Sequence, residues 1–596
     1  MNMKRPCIRF GILMPLLLST LSGYAQQPVS DQPDASAPDS AAFHQTLERL
    51  GLLEPSADWS DKGDIRLAEP RCAYVNITGI DGMPTAKDCP MNAWMEVYDG
   101  RGNYFRKRVI LDAQGNSSLI FPKKNFKADF CDDEWVGDSV PDFRIGSWVH
   151  QDAFHFKAYY NDYLRGVGAV GYKLYDLIAS DRGPMWMRAL DGIEDPNTSA
   201  RCYPDGFPCH VYLNGSFHGL FAWELKKHRR NMNQEKTNPR HIHLDGALEN
   251  ATLWNGQTDW TAFEVRNPKG LLTVDSTAYD GDRPTELADG VTKEAVNALG
   301  SVCGRLREME AAGADSADIR RTFEQVFDLG SLVDYACFHY MTANFDGWQK
   351  NWQWFTYDGV KWFVAPYDLD CTFGNFYTGN FLLAPDRTGL NSYASLPFTG
   401  PFYFIRQYYL SAVFERYRDL RRRNIVTPDI VRELLTNWYG RMGEEGYVQE
   451  WERWPESKCI SEDVLSKGWK AVDSWNGYGQ LAAYADTVPY AAGDRCIYGY
   501  RIWEATDSVT GVVPVVQQGY RDSIGRLKQW VDERFRLLDD YMGYIPTSEG
   551  VNMAEIPQNT NAHVDAVYDL LGHRLTGQPQ RHRLYIKNKR KFIKRY

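Results

Sequence analysis

Residues Ser331 to Tyr377 read SLVDYACFHYMTANFDGWQKNWQWFTYDGVKWFVAPYDLDCTFGNFY. Leu332, Tyr335, Ala336, His339 and Tyr340 recur at three- and four-residue steps, so a helix is expected over 331–343, ending near Asn344. It delivers the chain into the loop Asp346-Gly347-Trp348-Gln349-Lys350-Asn351. Two aromatic and β-type runs follow, Trp352–Tyr357 and Lys361–Ala365, joined at Asp358-Gly359, a pair that signals a two-residue type I′ turn. A tight hairpin returns the chain to where it began. Asn351 before it and Asp368 after it should therefore emerge at one end, bringing Asp346 and Asp370 with them.

Three carboxylates and an amide gathered at a strand end repel one another unless a cation neutralises them, and hard oxygen donors of this kind suit magnesium or manganese. The order carries further information. An Asp, an Asn five residues on, a hairpin and a second Asp reproduce a kinase catalytic loop followed by its metal-binding Asp. In that reading Asp346 orients the acceptor hydroxyl, Asn351 and Asp368 hold the metal, and Asp370 is either a second ligand or a brace for Asp368. The plain alternative is that these are turn and cap residues, which Asp and Asn often are.

The stretch resembles the CotH (spore-coat protein H) kinase family, whose N-x-D loop, downstream Asn and P-W-D-L-D-x-[ST]-[FW]-G run stand here as Asn344-Phe345-Asp346, Asn351 and Pro366-Tyr367-Asp368-Leu369-Asp370-Cys371-Thr372-Phe373-Gly374. Tyr367 replaces the usual Trp. Upstream, Gly115-Asn116-Ser117-Ser118 and Phe121-Pro122-Lys123-Lys124 resemble another family segment, with Gln114 where its leading Arg would be. Asp162 with Arg165, and Val211-Tyr212-Leu213-Asn214-Gly215 with Gly219, Leu220 and Glu224, resemble two more. The resemblance spans about 70 to 542.

It implies an α+β, atypical protein-kinase-like fold of two lobes, β-rich then mainly helical, and ATP-dependent phosphorylation of Ser or Thr in a secreted or surface protein, with magnesium or manganese. It also implies that Lys123 or Lys124 contacts nucleotide phosphates and that Glu224 positions that lysine. A solvated strand edge is the plainer reading of the lysines, and a surface carboxylate that of Glu224. No G-x-G-x-x-G precedes the lysine pair, so the job of a phosphate lid must fall to another loop or go undone. The competing reading is a catalytically silent kinase-like scaffold or carbohydrate-binding protein at the surface.

Outward from this centre, residues 1–25 pair a basic start with a short apolar run and a small-residue exit, the pattern of a cleaved secretory signal, which places the mature chain in the periplasm or at the cell surface. Residues 26–65 read as a flexible linker, 66–545 as the kinase-like domain and 546–596 as a β tail, a candidate sorting or docking element. No stretch of the mature chain reads as transmembrane. Short β runs are expected after Pro70, and helices at 159–178, 317–327, 403–423 and 525–542.

Within 480–520, Tyr490, Tyr498 and Trp503 resemble the core of a carbohydrate-binding module, with polysaccharide as the implied partner; core aromatics are the alternative. Cys72 with Cys89, and Cys202 with Cys209, are near enough to close small disulfide loops, or are buried thiols. No C-x-x-C spacing of a zinc site occurs, and no G-x-S-x-G elbow. A net charge of -10 argues against nucleic acid as a partner.

Overall fold

The computed structural model describes residues 40–52, 66–67, 71–131 (116 excepted), 144–188, 199–246, 253, 263–268, 272–274, 284–287, 291–375 (349 excepted), 400–455, 468–472, 477, 480–498, 501–514, 520–546, 567–568, 584–587 and 590–593. The expected signal peptide and Cys459 lie outside these residues.

Seven strands near the N-terminus alternate apolar and polar residues closely enough to close on themselves. They are β1 (Ala73–Thr78), β2 (Met91–Tyr98), β3 (Tyr104–Gln114), β4 (Asn125–Cys131), β5 (Ala153–Lys157), β6 (Gly206–Leu213) and β7 (Ser216–Leu225). The barrel runs β1-β2-β3-β4-β5-β7-β6 and closes through a parallel β1–β6 pair. Val75, Ile77, Met95, Val97, Val109 and Leu111 share its interior, the period-two pattern of a half-buried sheet. Phe126 and Phe156 stack at 4.6 Å, with Trp223 4.8 Å from Phe156.

The second half is mainly helical. α1 (Ala41–Arg49) precedes the barrel and α2 (Val167–Ser180) is inserted after β5; α3 (Val291–Ala311), α4 (Ser316–Val326), α5 (Leu329–Thr342), α6 (Gly400–Tyr408), α7 (Leu410–Arg422), α8 (Pro428–Met442), α9 (Glu444–Arg453) and α10 (Tyr520–Met542) follow. Every residue of α5 from Ser331 to Thr342 is buried, as expected for a helix apolar nearly all round, and it packs against α2, α7 and α10. Beside it lies an antiparallel sheet ordered β9-β8-β10-β11, built from β8 (Ile242–Gly246), β9 (Glu264–Asn267), β10 (Trp352–Thr356) and β11 (Trp362–Pro366). The molecule is thus mixed α+β, a β-rich first part followed by a helical one.

Several expectations need correction. The 26–65 stretch, expected to be a flexible linker, contains α1, whose Phe43 and Leu47 are buried against Tyr98 and Tyr212. Two apolar residues four apart in an otherwise polar segment are a signal too short to register in sequence. The helix expected from 159 starts only at Val167, because Asp162 turns the chain there: its carboxylate accepts from the backbone N–H groups of Leu164 at 2.7 Å and of Gly166 and Val167 at 2.6 Å each. The helix expected over 403–423 breaks at Tyr409 into α6 and α7. The β10–β11 hairpin closes at Thr356–Trp362, so its loop is longer than a two-residue type I′ turn. Asp358 Oδ1 shapes that loop by accepting from Val360 N and Lys361 N, both at 2.8 Å.

Strands Trp469–Val472, Arg495–Tyr498 and Arg501–Ala505 form a three-stranded sheet around Trp469, Tyr490, Cys496 and Trp503. Trp503 and Tyr490 are buried, and Trp503 Nε1 donates to Tyr498 O at 3.1 Å. Their rings fill a small core, so they do not present the stacking face expected for a sugar. The nine described cysteines are free thiols, so neither the Cys72–Cys89 nor the Cys202–Cys209 bridge is formed. Three short antiparallel strands lie at 567–568, 584–587 and 590–593 in the C-terminal tail. No described helix is long and apolar enough to cross a membrane.

Candidate active site

The β10–β11 hairpin begins and ends at the site. Trp352 pairs with Pro366, and one residue further out Tyr367 N donates to Asn351 O at 2.8 Å. Asn351 N in turn donates to Gly246 O at 2.7 Å, which ties this corner to β8. Asn351 and Asp368 both take left-handed backbone conformations, φ 61° and 50°, which Asn and Asp tolerate better than other non-glycine residues. Tyr159, Arg165, Ala343 and Phe373 do so as well, at φ 43°, 56°, 52° and 54°. Such residues gather where surrounding packing holds a functional geometry against local preference.

Asp346 opens a short 3₁₀ turn just after the left-handed cap of α5 at Ala343. Its Oδ2 accepts from Asn351 Nδ2 at 2.6 Å, and its Oδ1 faces Lys350 Nζ at 3.4 Å. Asp368 N is 3.0 Å from the Tyr172 hydroxyl, which fastens the second acidic segment to α2. Asp370 is half-buried. Burial, and then the negative charges of Asp368 and Asp346, hold its carboxyl well above the ordinary carboxylate range. Asp346, Asn351, Asp368 and Asp370 are therefore brought together by the hairpin and the end of α5.

A cation from the barrel completes the cluster. Lys157, the last residue of β5, is 6% exposed, and its Nζ stands 3.5 Å from Asp368 Oδ1. Burial alone would favour the neutral amine, yet Asp368, Tyr367, Glu224 and Asp370 together raise its pKa, so it is an ammonium. Glu224 on β7 lies opposite His155 in the β5–β7 register and accepts from the Tyr159 hydroxyl at 2.6 Å. Burial pushes the Glu224 carboxyl up to about 7, against the pull of Lys157 and that hydrogen bond.

The lysines expected beside Glu224 are elsewhere. Lys123 is buried and donates to Glu450 Oε1 at 2.7 Å and to Ala158 O at 3.2 Å. Lys124 curls back onto Leu119 O and Phe121 O at 2.5 Å each. The expected pairing of Glu224 with Lys123 or Lys124 is not formed, because the side chain of Lys123 points toward α9, and the lysine whose charge acts on Glu224 is Lys157. Arg165 meets the same Glu450 oxygen at 2.8 Å. The resemblance had marked Asp162 and Arg165, which cap the start of α2 and lock α9 to the barrel.

Lys157 is the site residue that sequence reasoning missed. Its signal was a lysine in the strand Phe154-His155-Phe156-Lys157, where all four residues are buried. The tip of the β3–β4 hairpin adjoins it: Asn125 Oδ1 accepts from Ala158 N at 2.7 Å while Asn125 Nδ2 donates to Ser118 Oγ at 3.2 Å. Gln114 Nε2 lies 3.4 Å from His155 Nδ1 in the same region.

The donor set fits a hard divalent cation. The charge of Asp368 helps destabilise the ionised form of Asp370, and the carbonyl oxygen of the Asn351 amide is a third hard donor beside these two carboxylates. Among the described residues no group of three or more His, Cys, Asp and Glu is placed to hold a metal ion. Magnesium at phosphate sites characteristically takes only one or two carboxylates and draws its remaining ligands from substrate and water.

No curated protein matches the chain. The family model described as CotH kinase protein matches residues 111–538, a span that holds the barrel strands β4 to β7, the hairpin and every residue of the acidic cluster, and the chain belongs to that family.

Proposed function

We propose that the chain is an exported, two-lobed kinase that transfers the γ-phosphoryl group of ATP to a Ser or Thr hydroxyl of a secreted or surface protein. The observation that carries this reading is the convergence of Asp346, bonded to Asn351 at 2.6 Å, with the Lys157–Asp368 pair at 3.5 Å. Family membership supports a kinase-like function in general; export rests on the leader-like first 25 residues.

Asp346 accepts or orients the acceptor hydroxyl proton, and its bond to Asn351 fixes the carboxylate for that task. Asn351 and Asp368 hold magnesium or manganese, with Asp370 as further ligand or brace, and the bound ion supplies positive charge against the phosphate oxygens. Lys157 binds phosphate from the barrel side, and Glu224 with Tyr159 holds that end of β5 in place. The β3–β4 hairpin tip, braced through Asn125 to Ala158, serves where a glycine-rich lid is missing.

Two measurements test this. Purified protein should gain thermal stability from ATP with magnesium, and Asp368→Ala should lose that gain. Radiolabel from ATP should pass to a Ser/Thr-containing acceptor protein, and Asp346→Ala should abolish the transfer. A wild type that neither shifts nor transfers overturns the reading.

A further inference from the structure

The floor beneath the Asp346 loop is polar where packing leads one to expect only apolar atoms. His339 and Asn344 are both 0% exposed. The side-chain nitrogen and oxygen of Asn344 have no hydrogen-bond partner among the described residues, and the His339 ring faces only the Asn344 backbone, short of good hydrogen-bond geometry. The two side chains adjoin: a Cβ built on Gly347 would fall 2.8 Å from His339 Nε2 and 3.0 Å from Asn344 Nδ2. The backbone just after Asp346 therefore lies directly over both groups. Tyr335, whose hydroxyl donates to Gly347 O, and Trp348 enclose the His339 ring at centroid distances of 4.0 and 4.9 Å.

Leaving a buried polar group unsatisfied costs about 1–3 kcal/mol, and several such atoms at one spot would be a heavy burden on a loop that has to stay in place. Neutral imidazole offers one donor and one acceptor, and the carboxamide offers both kinds. Burial pulls the His339 imidazole down to about 3, so it stays neutral. A single water, which donates two and accepts two hydrogen bonds, matches this set, and buried waters typically make about three.

We propose that His339 and Asn344 hold one ordered water molecule beneath the Asp346 loop, and that this water sets the position of Asp346 in the site. His339 and Asn344 are then positioning residues that act through Gly347 and touch no reacting atom. The positional role rests on the function proposed above for Asp346; the water site does not.

Two arms keep those apart. A crystal structure of the full chain, at a resolution that shows ordered solvent, should place one water within hydrogen-bond distance of a His339 ring nitrogen and of the Asn344 amide. A dry contact, or a direct bond between the His339 and Asn344 side chains, overturns the site whether or not the protein is active. In the kinetic arm, His339→Phe should keep the fold and lower kcat between about tenfold and a hundredfold, the scale of a small misplacement, with the KM for ATP unchanged. His339→Gln, which can still bond the water, should recover part of the loss. Unchanged kcat in His339→Phe overturns the positioning role, and Asn344→Leu carries the same arm should the Phe variant not fold. A wild type without transfer activity defeats the proposed function and with it the positioning role, leaving the crystallographic arm to decide the water.

Discussion

Lys157 Nζ lies 3.5 Å from Asp368 Oδ1, although a barrel strand carries one and the hairpin beside the helical half carries the other. This contact joins the two parts of the molecule at the acidic cluster. Asp368 is 39% exposed and so remains solvated if its partner is removed. Lys157→Met, which keeps most of the stem, should therefore change folding stability by no more than about 1 kcal/mol. Its expected effect is on binding: affinity for ATP with magnesium should fall about ten- to a hundredfold by titration calorimetry, about 1.4–2.7 kcal/mol. Unaltered affinity would remove Lys157 from the phosphate site.

Asp370 gives the metal test. Its carboxyl is held up by burial and by the charges of Asp368 and Asp346, so replacing it with a neutral amide relieves repulsion in the metal-free protein. Asp370→Asn should raise the metal-free Tm by a few degrees. In the wild type, magnesium with ATP at a hundred times the dissociation constant should add about 2.7 kcal/mol, and the variant should show a smaller increment. A metal-free Tm lower than wild type would mean that the carboxylate is serving a bond within the fold.

Much of this site was legible because its residues lie close in sequence. Asp346, Asn351 and Asp368 are joined by one hairpin, and strand pairing alone brings its two ends together. The chain order of β-rich and helical parts was legible for a similar reason, since each follows from local periodicity. Lys157 was not, because it reaches Asp368 through the closure of a seven-stranded barrel, which no local pattern specifies. Lys123 misled for the converse reason: adjacent lysines look alike in sequence, and only the packing of α9 separates a buried Lys123 from a Lys124 folded back on its own loop. The Asp358-Gly359 turn was located correctly and typed wrongly, because Asp358 spends its side chain capping Val360 and Lys361.

Glu224 should leave a mark on the pH dependence of stability. Its carboxyl is raised from 4.5 to about 7 in the folded protein, so the native state holds a proton that the unfolded chain has released. The stability this provides is fully present below about 4.5 and is lost as pH rises toward and through 7, by roughly 3 kcal/mol at most. Glu224→Gln cannot release that proton, so urea unfolding midpoints of the variant should stay flatter across this window. A wild type whose stability rises over the same window, with the variant flat, would reverse the sign and mean that the carboxylate is ionised and paired.

The strongest stability effect is expected away from the acidic cluster, at Glu450. One carboxylate there serves two buried cations and a backbone amide: Lys123 at 2.7 Å, Arg165 at 2.8 Å and Leu220 N at 2.7 Å. Against the upward push of burial, Lys123 and Arg165 hold its carboxyl below the usual range. Burial pulls the Lys123 ammonium down to about 8, as expected for the second cation on a shared carboxylate. Glu450→Ala strands both cations at once and should cost about 3–5 kcal/mol. Lys123→Met should cost less, because Arg165 still neutralises Glu450 and the stem of the substituted side chain still packs on Phe221, over whose ring the ammonium lies at 4.5 Å. In urea titrations Glu450→Ala should therefore be clearly less stable than Lys123→Met, and in hydrogen exchange the Leu220 amide should lose protection in the Glu450 variant. The reverse order would mean that apolar packing, with the ion cluster a passenger, holds α9 to the barrel.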